Sequence, residues 1–271
     1  MATHALPVGI GILVLVFLVL PLAVIVPLSL TDGDILALPS GGWSLRWYAD
    51  FFGSERWLRA TANSFIVGIG TMCGATLLGT LAACGIRFSR FPGKRMISGF
   101  LLLPLLVPVI VIAASMNFAF SGVHLTNSLL GLTIAHVVIA APFVVVTVLG
   151  SLQSFDKDML RAAQSLGASP LVAFASVVLP LIWPAALTGG IFAFATSFDE
   201  LVIAVFITGP EEVTLPRQMF AGLREETSPV IAAVSVLIVS LSVLLLLLIE
   251  AVRRCDRRFR LAEPSEQSTI I

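Results

Sequence analysis

Runs of twenty or more mostly apolar positions alternate along the chain with short stretches that gather nearly all of its charge. A helix needs about 20 predominantly apolar residues to cross the hydrocarbon core of a bilayer. Windows of that length, bounded by charge clusters, occur six times, at 8–30, 61–86, 97–120, 128–151, 181–208 and 229–251. The pattern predicts an all-α membrane protein of six transmembrane helices, one membrane domain over 1–271. The first run has no basic segment ahead of it and is too long for the apolar core of a cleaved leader, so it reads as a retained span. Pro21 and Pro27 predict kinks there, which neighbouring helices can accommodate by re-satisfying the freed backbone groups.

Composition sharpens this picture. Of 271 residues, 58% are hydrophobic and 12% charged, with a mean hydropathy of +1.03, whereas soluble domains are about half apolar and a quarter charged. Sixteen basic and sixteen acidic residues cancel, leaving no global field to recruit nucleic acid. Cys73, Cys84 and Cys255 show no metal-ligand spacing and read as small hydrophobes, and no metal site or catalytic constellation is expected.

The placement of the charges carries the orientation. With the N-terminus inside, eleven basic residues fall on the cytoplasmic side: Arg87, Arg90, Lys94, Arg95, Lys157, Arg161, Arg253, Arg254, Arg257, Arg258 and Arg260. Five fall outside: Arg46, Arg56, Arg59, Arg217 and Arg224. The bias predicts cytoplasmic termini, outer segments at 31–60 and 209–228, and cytoplasmic segments at 152–180 and 252–271. The outer segments lean acidic, with Asp32, Asp34, Asp50 and Glu55 in one and Glu211, Glu212, Glu225 and Glu226 in the other. Trp43, Trp47, Tyr48, Phe51, Phe52 and Trp57 read as an aromatic belt at headgroup level.

Residues 152–180 are too structured for a linker. Ser154, Asp156 or Asp158 can cap a helix start; Met159, Ala162, Ala163 and Leu166 recur at helical spacing; Gly167 supplies the stop. Ser169 before Pro170 is a second start, leading into Leu171, Phe174 and Val178. Two short helices meeting at Gly167 are predicted. Their small-residue surface of Ala162, Ala163, Gly167 and Ala168 suits a partner's groove, although a helix lying on the membrane surface has the same spacing.

The run Arg161-Ala162-Ala163-Gln164-Ser165-Leu166-Gly167-Ala168, followed by Leu179-Pro180 and Pro184, resembles the EAA motif of permease subunits in bacterial ABC importers. The chain as a whole is similar to the second permease of spermidine/putrescine-type importers. Leu45-Arg46-Trp47-Tyr48, Asn63-Ser64, Phe198-Asp199-Glu200 and Thr208-Gly209-Pro210 extend that likeness over nearly the full length. The resemblance implies a type I importer permease fold in the bacterial inner membrane. It also implies three kinds of partner besides the lipid bilayer: an identical or different second permease, two ATP-binding subunits and a periplasmic solute-binding protein. Met159, Arg161, Ala162, Ala163, Leu166, Gly167 and Ala168 become the expected ATPase-coupling residues. Arg161 stands where the family usually has Glu, so a salt bridge from that Glu does not carry over. The chain has no GxxxxGK[ST] phosphate loop, since Gly93-Lys94 lacks both the upstream Gly and the following Ser/Thr. ATP and Mg are therefore expected on the partner, and this chain is not expected to be an enzyme.

Asp199 and Glu200 are the only charges between Pro180 and Glu211. A carboxylate at a helix centre in a membrane costs about 2.5–3.5 kcal/mol on insertion scales, so its default reading is functional. Asp199, Glu200, Phe198 and Asn117 are the expected pathway residues, with Asp199 facing a cavity; alternatively, the two acids mark an early, solvated end of the span or pair with a partner. Asn117 and His136 can instead bond neighbouring helices. Gly189 and Gly190 permit close helix approach or a bend.

Six spans with an intramembrane acid also suit a secondary transporter or channel for a small cation working alone, or a scaffold without a pathway. The 152–180 segment favours the ATP-driven importer, because an autonomous carrier needs no docking surface. A pathway carboxylate favours a cationic or zwitterionic solute, and the resemblance points to polyamines or to related amines and amino-acid derivatives. Val109 stands where polyamine members often carry an acid, which favours a smaller or singly charged amine almost equally.

Overall fold

A computed structural model describes residues 2–39, 41–153, 155–225 and 228–261. Ser154, Glu226 and the 262–271 portion of the expected tail lie outside the described residues. The protein is almost entirely helical. Five of its helices are long and apolar enough to cross a membrane, and a bent pair makes a sixth crossing if counted as one span.

The chain folds as two compact units. The first comprises the chain up to Thr61 together with Leu215–Leu244. Helix α1 (Ala2–Ser29) runs uninterrupted through Pro21 and Pro27, and its apolar side chains from Val8 to Leu20 are largely exposed. Ser29 Oγ lies 2.8 Å from the Tyr48 hydroxyl, on α2 (Arg46–Gly53). That short helix buries Trp47 and Phe51, while Trp43 and Phe52 remain exposed. The expected aromatic belt is thus half anchor, half exposed surface.

The second unit comprises Ala62–Thr214 and the chain from Leu245 onward. Helix α3 spans Glu55–Phe88, with most of its length in this unit. The span expected at 97–120 is not one helix. It consists of α4 (Lys94–Leu102), a 3₁₀ turn at Leu103–Leu105, and α5 (Val109–Ser121), bent by 99° across the break. Proline is the reason: Pro104 enters the tight turn, and Pro108 holds extended geometry at the N-cap of α5 and biases Val107 before it away from helix.

Helix α6 (Leu129–Gln153) continues through Pro142. Helix α7 covers Lys157–Ser165. The second short helix expected in the cytoplasmic segment does not stand alone. Helix α8 (Pro170–Ala173) passes through a π turn at Phe174–Val178 into α9 (Leu179–Phe198) without a break. Pro180 has no N–H for the carbonyl four residues back, and widening the turn just before it absorbs the mismatch. The fifth span, expected to reach 208, ends at Phe198; α10 (Val202–Ile207) follows after three residues. Helices α11 (Leu215–Glu225) and α12 (Val230–Leu261) complete the described residues.

Two apolar clusters hold the second unit. One gathers Ala83, Val144, Val148, Leu152, Phe155, Val178 and Ile182; the other gathers Val67, Ala113, Leu132, Ala135, Ile203 and Ile207. Close approach of α9 depends on Gly189 and Gly190. A Cβ on Gly189 would sit 2.8 Å from the Val144 Cα of α6, and one on Gly190 would fall on the Thr76 hydroxyl of α3. Without a hydrophobic force between helices in lipid, such close packing is what association rests on. Gly189→Val should therefore force α6 and α9 apart at a cost of about 1–3 kcal/mol, read as a lower thermal midpoint of the detergent-solubilised protein.

Candidate functional site

The coupling segment is built by local capping. Asp156 caps α7, its Oδ1 accepting the Asp158 amide at 2.9 Å. At the other end Gly167 takes φ +91°, a left-handed geometry that costs glycine nothing. Its amide donates to Gln164 O at 3.0 Å, and the Ala168 amide donates to Ala163 O at 3.1 Å. This pair of bonds closes the helix in a Schellman turn. Ser169 Oγ then receives the Val172 amide at 3.4 Å, opening α8 with Pro170 at its first position.

Helix α7 has two faces. Leu160 packs inward on the cluster of Leu152, Phe155 and Val178. Met159, Arg161, Ala162 and Gly167 are exposed, Ala163 and Ala168 are half-buried, and Leu166 is 90% exposed. Leu171 and Val172, just beyond, are exposed as well. Arg161 meets Asp158 at 2.9 Å on the same helix face. An exposed pair of this kind contributes little to stability, so the guanidinium can exchange its partner at small cost.

At the far end of α9 the break places the two acids differently. Asp199 is the C-cap of α9, its amide reaching Ala195 O at 3.2 Å, and its exposed carboxylate has no partner among the described residues. It is not embedded in a continuous helix between Phe198 and Val202, as the expected 181–208 span required. Glu200 folds its Oε1 onto the Ile203 amide at 3.0 Å and so satisfies the start of α10. Phe198 is buried, stacked 5.5 Å from Phe194 and edge-on to Phe65 at 5.1 Å. Asn117 on α5 donates to the Phe206 carbonyl of α10.

Several pairings at this end escape a reading of the sequence. His136, fully buried, has Nδ1 2.8 Å from Ser197 Oγ, and that hydroxyl continues to Thr71 Oγ1 at 3.2 Å. This chain of groups crosses α6, α9 and α3 one residue before Phe198. Phe65, 38% exposed, brings an aromatic edge to the same end. Asn63 donates to the carbonyls of Glu211 and Val213, at 3.3 and 3.0 Å, tying α3 to the loop after α10. Arg87 does the equivalent at the opposite end of α3. Helical spacing gives no hint of these pairings, since each joins residues far apart in sequence.

Glu200→Gln retains the acceptor oxygen and should leave thermal stability of the solubilised protein near that of the parent. Glu200→Leu removes it and should cost about 0.5–2 kcal/mol, the range for a lost helix cap.

Comparison with known proteins places this geometry. Residues 75–261 match the family described as binding-protein-dependent transport system inner membrane component. The chain is 31% identical over 238 residues to the spermidine/putrescine transport system permease protein PotC of Haemophilus influenzae, covering 88% of this chain and 92% of that one. It is 32% identical over 229 residues to the putrescine transport system permease protein PotI of Escherichia coli, covering 82% and 81%. Among solved structures, its fold is shared with a chain of a bacterial alginate ABC transporter in complex with an alginate pentasaccharide-bound periplasmic protein, at a TM-score of 0.71 and 15% identity, covering 95% and 94%.

Proposed function

We propose a solute class and a route of coupling from the premise that the chain belongs to the binding-protein-dependent transport system inner membrane component family. It is a multi-pass inner-membrane permease subunit of an importer of that type. Its solute is a small amine-bearing cation or zwitterion, with polyamines and their shorter relatives as the leading class. The observation that carries this reading is Asp199, the one carboxylate at the break after α9 that has no partner among the described residues. The polyamine permeases to which the chain is similar support the same class. Phe198 and Asn117 serve the site from behind, the one by packing against Phe194 and Phe65, the other by holding α10.

The chain works by alternating access and hydrolyses nothing itself. Helix α7, with Met159, Arg161, Ala162, Ala163, Leu166, Gly167 and Ala168, docks in a groove of an ATP-binding subunit that holds ATP and Mg. Two such subunits, a second permease and a periplasmic solute-binding protein complete the assembly. Both termini are cytoplasmic, by the bias of basic residues. The surface that supports docking is the one left bare once Leu160 is buried: a highly exposed Leu166 beside a glycine turn. A carrier working alone has no use for it.

Two expected outcomes check the two halves separately. Asp199→Asn should weaken putrescine uptake by the assembled complex by about 1–3 kcal/mol, the worth of a charge-assisted contact, with basal ATP hydrolysis unchanged; uptake equal to the parent would remove Asp199 from the pathway. Gly167→Trp cannot hold the left-handed turn without strain and should abolish co-purification of the ATP-binding subunit. Normal assembly and ATPase activity would instead leave α7 as a membrane-surface helix.

A further inference from the structure

Arg87 lies in the last turn of α3, where a cation also suits the helix dipole, and its guanidinium bridges two backbone carbonyls. Nε donates to Leu152 O at 2.9 Å and Nη2 donates to Phe155 O at 3.2 Å. Leu152 is in the last turn of α6, whose carbonyls have no helical partner. Phe155 immediately precedes Asp156, the cap of α7. The two acceptors therefore flank the turn by which the chain passes from membrane helix to coupling helix. Phe88, the next residue of α3, meets the buried Phe155 ring edge-on at 6.0 Å. Leu160, the inward residue of α7, packs in the same cluster as Ala83, Cys84 and Phe88.

The other end of α3 is fixed in the same manner, by Asn63 on the carbonyls of Glu211 and Val213. Asn63 and Arg87 are 24 positions apart on one uninterrupted helix, which at 1.5 Å per residue is about 36 Å, the depth of the hydrocarbon core with a margin. Along that length α3 touches α9 by way of Phe65 on Phe198 and Thr71 on Ser197, just before Asp199. A continuous helix held at both ends and along its side moves as one body. The geometry points to Arg87 as a positioning residue for coupling: it fastens the root of α7 to α3, so that displacement of α7 is delivered as movement of α3 against the break at residues 199–201. This rests on the reading of α7 as the ATPase-docking helix. A carbonyl staple that only saturates a helix end would stabilise the fold without affecting that transfer. Lysine is a partial substitute, because a single ammonium lacks the planar fork that reaches two acceptors at once.

The test needs no knowledge of the solute. The full complex, with both permeases and the ATP-binding subunits, is prepared in lipid nanodiscs with Cys73→Ala, Cys84→Ala and Cys255→Ala and a reporter Leu201→Cys in the break. Its labelling by a membrane-impermeant maleimide is timed with and without ATP and vanadate, and ATP hydrolysis is measured on the same samples. The parent should change its labelling rate at least fivefold on trapping. Arg87→Ala should hydrolyse ATP within about twofold of the parent yet change its labelling less than twofold, and Arg87→Lys should fall between. If Arg87→Ala does not assemble, the Lys variant is read by the same ratio. A parent-like labelling response in the variant overturns the strut, as does a response reduced only in proportion to ATP hydrolysis. Failure of the docking reading looks different: the parent itself shows no labelling change, and Gly167→Trp still binds the ATP-binding subunit.

Discussion

Hydrocarbon offers no partner to a backbone N–H or carbonyl, and this membrane fold is interrupted repeatedly. Continuous helices satisfy themselves; their ends and breaks do not. Four polar side chains of the second unit answer that need. Arg87 takes carbonyls at the end of α6 and just beyond it, Asn63 takes two in the loop after α10, Asn117 takes one from the last turns of α10, and Glu200 takes an amide at the start of α10. The Asn127 amide donates to Ile207 O at 2.7 Å. What looks in sequence like a scatter of polar residues gathers at helix ends and breaks, where backbone groups lack helical partners.

This set of bonds also defines what is able to move. Helix–helix hydrogen bonds in membranes are worth about 0.6 kcal/mol on average in one well-studied case, up to about 1.7, so no single one locks the structure. Losing a partner inside lipid is a different matter, since an orphaned backbone group costs several kcal/mol. Movement is then cheapest when bonded pairs travel together. Helix α3 with its two end staples is such a unit, and the breaks at 103–108 and 199–201 are where the chain can flex without uncovering a helix interior.

Much of this was legible in the sequence. Hydropathy located the membrane helices, and the capping residues of the 152–180 segment, Asp156, Gly167 and Ser169 before Pro170, act where local chemistry placed them. Hydropathy averaged over a window is blind to geometry, however. Pro104 and Pro108 sit in an apolar run that reads as one span, and only their effect on φ and on the preceding residue turns it through 99°. The run through Pro180 and Pro184 shows the opposite case: the sequence predicts a short helix separate from the span at 181, yet a π turn lets α8 continue into α9. Pairings such as Arg87 with Leu152 or His136 with Ser197 depend on which helices lie side by side, and periodicity within a helix does not carry that information.

The two adjacent acids show how the same residue type acquires opposite roles from the helix end it occupies. A helix N-terminus is partially positive and its C-terminus partially negative. Glu200 faces the start of α10, where its charge is welcome and its oxygen accepts an amide. Asp199 caps the C-terminus of α9, where a carboxylate adds to a negative end instead of cancelling it. Such placement is unfavourable by about 0.3–1 kcal/mol at an exposed site. The carboxylate and the last carbonyls of a 20-residue helix together form a field that a cation relieves. Broken helices in other transporters hold cations with the same pairing of helix end and exposed carbonyl. For the pathway role proposed for Asp199, a transient ammonium group suits this geometry better than a permanent protein cation, because a site already neutralised from within would have nothing left to offer a solute in transit.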